Sequence, residues 1–315
     1  MNFSDLKLNP DLLKGVDALG FTEPTPIQEA TIPQLLEEKK DLVGLAQTGT
    51  GKTAAFGLPM IHKINPKDKT VQGLVIAPTR ELCVQISNDF KNFSKFMSGI
   101  KIATIYGGAS MDKQSKEIRA GAQIIVATPG RLMDLMRRRM VKINQVSYVA
   151  LDEADEMLNM GFKEDIDDIL SDTPDDKVTW LFSATMPPKI VKLAQNILIN
   201  PARVNVAISK PAETIRQEAY LVFDKQKAPL VAHILKRMEF ESVIVFSSTK
   251  KNISLIQREL KSQGIPSRAM SSDLEQKERE EVMGQFKAKK FKTLVATDIV
   301  SRGIDIKGIS LVINY

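Results

Sequence analysis

The chain has a single cysteine, Cys83, in its 315 residues. That excludes an intrachain disulfide and any multi-cysteine metal site. There are two histidines. His62 and His233 lie far apart and make no His-rich metal cluster; each reads as a surface or packing residue. No stretch approaches the roughly 18 consecutive apolar residues of a membrane span, so no membrane partner is expected. The opening "MNFSDLKLNP" has no basic region followed by an apolar one, so no secretory signal is expected. Low-complexity tracts and short repeats are also missing. Together these absences fit a protein of the reducing cytoplasm.

What is present is ordinary globular composition, 43% hydrophobic and 26% charged, in a length suited to about two domains. The net charge of +6 is unevenly placed. Residues 1–206 carry 25 Lys and Arg against 25 Asp and Glu, whereas residues 207–315 carry 19 against 13. A basic segment beside a neutral one suggests a polyanionic partner, or merely a solvated basic face.

Apolar runs of strand length alternate with amphipathic segments of helix length. The first set is 41–46, 72–79, 101–107, 122–129, 146–154 and 178–185. These runs are rich in Val, Ile and Leu without clean alternation, the pattern of strands covered on both faces in a parallel sheet. "NPARVNVAISKPAET" (200–214) is polar and proline-flanked and reads as a domain exit and linker. Alternation resumes with 218–224, 242–249, 267–271, 292–298 and 310–315. The expected division is a first α/β domain over 1–206, a linker over 207–214 and a second α/β domain over 215–315.

"LAQTGTGKTAAFG" (45–57) follows the first strand and opens a helix. Gly49 and Gly51 let the backbone bend around an anion, and successive N–H groups point at phosphates. Lys52 reaches the β- and γ-phosphates, and the Thr53 hydroxyl holds Mg²⁺. The stricter pattern begins with glycine; here Ala46 stands there, followed by Gln47, Thr48 and Thr50. A second apolar strand ends in Asp152-Glu153. Asp152 is placed to bind the metal and Glu153 to polarise the attacking water, as phosphoryl transfer requires. The alternative for this acidic pair is a helix start stabilised by the dipole.

With both elements, the sequence resembles the DEAD-box RNA helicases, in the form of a bacterial-type compact core. The tetrad is Asp152-Glu153-Ala154-Asp155, and the motifs run in the family's order along essentially the whole chain. The resemblance implies two tandem RecA-like parallel-sheet domains, the second truncated. It implies an ATP-dependent helicase that separates short RNA duplexes locally and without sequence preference, with ATP and Mg²⁺ as cofactors.

By resemblance, "GFTEPTPIQ" (20–28) reads adenine: Gln28 bonds its edge and Phe21 packs on its face, with Phe3 as an upstream aromatic. A primary amide supplies the donor and acceptor this needs. Pro78, Thr79 and Arg80, Gly107 and Gly108, and Thr128, Pro129, Gly130 and Arg131 fall in motifs that contact the RNA backbone. None reads base edges, so sequence-independent binding follows. By the same resemblance Ser183 and Thr185 of "FSAT" hydrogen-bond the Asp152–Asp155 loop and link the nucleotide state to domain closure; by themselves they read as a Ser/Thr cap at a strand end. In the second domain Ser247, Thr297 and Arg302 face RNA, and Asp305 bonds the ATP ribose. Ser301 stands where the family more often has alanine.

Two basic stretches lie outside these motifs. The three arginines of "MRRRM" (136–140) cannot share one helical face and read as a solvated helix end or an RNA patch. "KAKKFK" (287–292) stays open between the same two readings. The family's second domain continues past "VINY" into an arginine-rich motif whose finger contributes on the order of 10³ to 10⁵ in rate. Two functions therefore stand at this point: an RNA helicase, or a nucleotide-dependent RNA-binding module with crippled hydrolysis. A monomeric core binding single-stranded or short duplex RNA is expected, with protein partners unspecified. The closing "ISLVINY" is expected to form an inner strand, with Ile309–Ile313 buried beside a parallel neighbour.

Overall fold

The computed structural model describes residues 2–37, 39–206, 215–271, 273–297 and 308–315. The chain folds as two compact units, Met1–Lys210 and Pro211–Tyr315.

In the first unit seven strands form one sheet. They are β1 (Leu42–Leu45), β2 (Gly73–Ile76), β3 (Ile102–Ile105), β4 (Ile124–Ala127), β5 (Tyr148–Leu151), β6 (Val178–Ser183) and β7 (Ala202–Asn205), in the order β3-β4-β2-β5-β6-β1-β7. Every pairing is parallel. Successive residues on a strand point to opposite faces. Leu42, Val75, Ile124, Trp180 and Phe182 enter one core, under the helices Pro10–Ala18, Pro26–Glu37, Lys52–Lys63 and Arg80–Phe93. Val43, Leu74, Ile76, Ile125 and Leu181 enter the other, under Met111–Arg119, Pro129–Arg137, Lys163–Ser171 and Pro188–Ile197. Both faces are covered, which is why the strands read as unbroken apolar runs. Trp180 is a core residue, 1% exposed and stacked on Tyr148 at 5.7 Å. Among the described residues no helix is long and apolar enough to cross a membrane.

β7 corrects one expectation. Residues 202–205 belong to the stretch that reads as a domain exit and linker, yet they pair with β1 at the sheet edge. Only Val204 of this strand is buried, so its sequence carries no hydrophobic signal. Asp41 secures this edge. Its Oδ1 accepts the Thr179 N–H at 2.7 Å and its Oδ2 accepts the Ile199 N–H at 2.6 Å, tying the entry of β1 to β6 and to the segment before β7.

The second unit has β8 (Val243–Ser247), β9 (Ser267–Met270), β10 (Thr293–Thr297) and β11 (Leu311–Asn314), parallel and ordered β11-β8-β10-β9. Val243, Val245 and Val295 pack under the helices Asp224–Arg237 and Lys250–Ser262. On the other face Ile244, Leu294 and Ala296 join Val282 and Phe286 of the helix Gln276–Lys287.

Two expectations for this unit are overturned. Residues 218–223 form no strand, and a helix starts at Asp224. Among the described residues no strand pairs with them, and Tyr220, Leu221 and Phe223 stand exposed. β11 does lie parallel to β8, but at the sheet edge rather than inside it. Leu311 and Ile313 pack on the core while Val312 is 51% exposed. The expected linker (207–214) lies outside the described residues.

Removing the Asp41 carboxylate leaves two backbone donors without their acceptor. Asp41→Ala is expected to cost the first unit about 2–4 kcal/mol. Denaturant unfolding followed by the fluorescence of Trp180, the single tryptophan, measures it.

Candidate functional site

Parallel alignment puts the C-terminal ends of all the strands at one edge, where open α/β sheets bind ligands. The loops leaving neighbours β3, β4 and β2 carry Gly107–Gly108, Thr128–Arg131 and Pro78–Arg80. The loops leaving neighbours β5, β6 and β1 carry Asp152–Asp155, Ser183–Thr185 and residues 46–52. The candidate residues thus divide into two adjoining groups along one edge.

The loop after β1 turns through Gly49 (φ 81°) and Gly51 (φ 93°), conformations that favour glycine. Space also demands glycine at 51, since a Cβ there would lie 2.3 Å from Gln28 Nε2. Gln28 is buried; its Nε2 donates to the Gly51 carbonyl and its Oε1 accepts the Thr25 N–H, both at 3.0 Å. Its amide therefore braces the loop. Phe21 is exposed and stacks beside buried Phe3 at 6.4 Å. The Ala46 N–H donates to the Ser183 carbonyl at 3.1 Å, and the Thr50 hydroxyl to that of Gln47 at 2.7 Å. Gln47, Thr48 and Gly49 face solvent. Lys52 opens the helix Lys52–Lys63, with Thr53 next. Lys52 is 5% exposed, and its Nζ has no hydrogen-bond partner. A buried ammonium with unmet hydrogen-bond donors is costly even near opposite charge, and a bound phosphate would accept from them.

Asp152 lies at the end of β5, buried, its Oδ1 accepting the Glu153 N–H at 2.9 Å. Burial raises its pKa, and Lys52 opposes that rise. Glu153 sits in the left-handed region at φ 51°, unusual for a residue with a Cβ. Burial, then the neighbouring charge of Asp152, lifts its carboxyl to about 7. Asp155 moves the other way. Burial alone would raise it, but hydrogen bonds from Thr185, with the Ser183 hydroxyl close by, hold it below the usual carboxylate range. Asp155 Oδ2 accepts both the Thr185 hydroxyl (2.7 Å) and the Thr185 N–H (3.0 Å). The Ser183 hydroxyl donates to the Thr185 carbonyl at 2.8 Å. Three carboxylates of contrasting proton affinity thus surround one ammonium. Among the described residues no group of three or more His, Cys, Asp or Glu could hold a metal by itself.

On the other half of the edge Tyr106 is a hub. The Arg80 guanidinium lies 4.3 Å from its ring centroid, a cation–π geometry. Its carbonyl accepts Arg131 Nε at 3.1 Å and Gln114 Nε2 at 3.0 Å. Arg131 also donates to the Ala109 carbonyl and contacts Asp134. Arg131 is thus occupied in shaping the glycine loop. Thr79 caps the helix Arg80–Phe93 through the Leu82 N–H. Thr128 caps the helix Pro129–Arg137 without a side-chain hydrogen bond. A Cβ on Gly107 would meet nothing within 4 Å, so that backbone is open to a ligand.

Residues 25–194 match the DEAD/DEAH box helicase family model, and residues 226–315 match the helicase conserved C-terminal domain. The chain belongs to the DEAD-box RNA helicase family. It is 43% identical over its whole length to the DEAD-box ATP-dependent RNA helicase CshA of Streptococcus pneumoniae serotype 4, of which it covers 60%. It is 41% identical to CshA of Bacillus subtilis, covering 64% of that protein. Saccharomyces cerevisiae Dbp5 bound to RNA and ADP BeF3 superposes with a TM-score of 0.90 at 32% identity, over all of this chain and 80% of that one. The chain therefore spans about 60% of the length of the curated relatives it matches.

In the second unit of this DEAD-box chain, Ser247 and Thr297 end neighbouring strands in direct register. Both are buried, and neither hydroxyl has a hydrogen-bond partner among the described residues. Arg302 and Asp305 lie outside the described residues. The sequence places Tyr106 in the "YGG" motif expected to contact RNA but gives it no role of its own. The aromatic before two glycines was visible, but not the arginine that stacks on it from 26 positions upstream.

The raised carboxyl of Glu153 sets a pH dependence of stability. Below about pH 4.5 the group is protonated folded and unfolded alike, so it contributes nothing. As pH rises through the folded value of about 7, ionisation is easier in the unfolded chain and the folded state is penalised. Glu153→Gln is therefore expected to raise the melting temperature of the ligand-free chain at pH 8 and to leave it nearly unchanged at pH 4.5. Thermal melts at the two pH values check this.

Proposed function

We propose that this DEAD-box chain carries the ATP-dependent core of an RNA helicase, separating short RNA duplexes locally and without sequence preference. The observation that carries the reading is the buried, unpartnered Lys52 ammonium on a glycine-turned loop beside Asp152 and Glu153. That arrangement fits the β- and γ-phosphates of ATP. Backbone N–H groups of residues 47–51 and the N-terminus of the following helix complete the cradle. Phe21 packs against the adenine, and Gln28 offers its remaining amide N–H to the base edge while bracing Gly51.

Thr53 and Asp152 would hold Mg²⁺, with phosphate oxygens and waters completing a shell that two protein ligands leave open. The ion, when bound, neutralises charge developing on the phosphates. Glu153 accepts a proton from the attacking water, a task suited to a carboxyl near neutrality. Asp155 and Thr185 relay the state of the nucleotide loops across β5 and β6.

RNA lies along the loops after β2, β3 and β4. Arg80, oriented by Tyr106, pairs with phosphate; the open backbone at Gly107 and the Thr128 hydroxyl contact phosphate or the 2′-OH. Ser247 and Thr297 offer unpaired hydroxyls on the second unit, and Arg302 and Asp305 are assigned to RNA and ribose. The RNA-bound state of the similar Dbp5 structure supports this partner.

The test is ATP turnover and duplex separation by residues 1–315, with RNA and DNA of one sequence. RNA is expected to raise ATP hydrolysis and DNA to leave it unchanged. Lys52→Ala is expected to lower kcat by about 100-fold or more. Equal stimulation by DNA, or full activity of the Lys52 variant, contradicts the proposal. The second reading, a nucleotide-dependent RNA-binding module, predicts ATP-sensitive RNA binding with negligible turnover by the same chain.

A further inference from the structure

The first unit has a cavity of about 330 Å³ at the edge of the sheet opposite the nucleotide loop. Three separate segments converge on it: the approach to β2, the C-terminal end of the helix Met111–Arg119, and the turn after the helix Pro129–Arg137. Its rim carries Lys69, Arg119, Arg139 and Lys142, and no acidic residue lines it. Its floor is apolar, with Val71 and Ile118 buried. Among the described residues none of the four cations is in an ion pair.

Composition does not account for this cluster, because residues 1–206 balance 25 basic against 25 acidic side chains. Helix dipoles account for part of it, since Arg119 and Arg139 lie at helix C-termini where cations are favoured. They do not account for Lys69 or Lys142, which come from loops. Lys69 is held in place, its stem lying where a Cβ on Gly121 would be 3.2 Å away. Four like charges around one apolar depression repel each other unless an anion joins them.

We propose that this cavity is a second RNA site, taking the phosphodiester backbone of single-stranded RNA that extends beyond the loops after β2, β3 and β4. A helix connects the two places. The loop of Gly107–Gly108 precedes the helix Met111–Arg119, and Arg119 ends it at the cavity. Nine residues of helix span about 13 Å. Lys113, Lys116 and Arg119 are exposed along it at three-residue intervals, against the acids Asp112 and Glu117. RNA is favoured over an acidic protein segment because its phosphates repeat along the chain, as do Lys113, Lys116 and Arg119 between the Gly107–Gly108 loop and the cavity. The inference rests on RNA being the partner of this chain.

The experiment compares the binding of short (about 6 nucleotides) and long (about 20 nucleotides) unstructured RNA to residues 1–315 across a salt series. The wild type is expected to bind the long RNA more tightly. Arg119→Glu with Arg139→Glu and Lys142→Glu is expected to weaken the long RNA by about tenfold and to reduce its salt slope by about 2, leaving the short RNA unchanged. Lys69→Gln with Lys142→Gln, a gentler change, is expected to shift the long RNA alone by a few-fold. Equal weakening of both RNAs, or no weakening, overturns the proposal. So does a variant that loses an oligoglutamate peptide yet keeps the long RNA, which would assign the cavity to an acidic protein segment. A wild type that binds both lengths equally refutes the cavity site alone. A wild type that binds neither refutes the RNA reading itself, and this site with it.

Discussion

Parallel alignment of the first six strands is the constraint on which the rest of the first unit depends. Each strand must be returned to the same starting edge by a crossover, so each releases its following loop at the same opposite edge. Six loops far apart in sequence become a single row. The order β3-β4-β2-β5-β6-β1 then sorts them: three loops proposed for RNA stand together, and three proposed for nucleotide stand beside them. No long side-chain relay is needed between the two functions. Asp155 after β5 and Thr185 after β6 meet within the nucleotide half, and β5 of that half is hydrogen-bonded to β2 of the RNA half.

The electrostatics of that row are costly for stability. Lys52 is buried beside carboxylates but with no hydrogen-bond partner for its ammonium, and Glu153 is held with a positive φ and a carboxyl raised to about 7. Each feature opposes folding of the ligand-free chain, and functional sites are where such strain collects. Two of them have a common remedy in a bound polyphosphate with its cation, which would pair Lys52 and offset the carboxylate charge. The second unit shows a milder form of the same pattern in the paired but unsatisfied hydroxyls of Ser247 and Thr297.

Most of this was legible in the sequence, for physical reasons. Strands covered on both faces must be apolar throughout, so β1 to β6 announce themselves. A phosphate loop needs glycines at fixed places, so Gly49 and Gly51 announce the nucleotide half. What was not legible depends on neighbours. β7 buries only Val204, and its polar residues look like a linker. Residues 218–223 are apolar enough for a strand but have none beside them. Leu311 and Ile313 read as inner-strand residues, though the other face of β11 is open. Gln28 was assigned to adenine, and only the folded chain brings its amide against Gly51. Arg139 reads as part of a solvated helix end or an RNA patch, and nothing local shows that Lys69, some 70 positions away, lines the same cavity.

The proposed role of the Asp155–Thr185 contact is to pass the nucleotide state to the RNA half through the neighbouring strands β5 and β2. RNA affinity measured with and without a non-hydrolysable ATP analogue, in the wild type and in Thr185→Ala, tests it most directly. The expected result is a wild-type affinity about tenfold higher with the analogue. In Thr185→Ala that ratio should fall towards one, with RNA affinity in the absence of analogue unchanged. A Thr185→Ala chain that keeps the full wild-type ratio would contradict the claim.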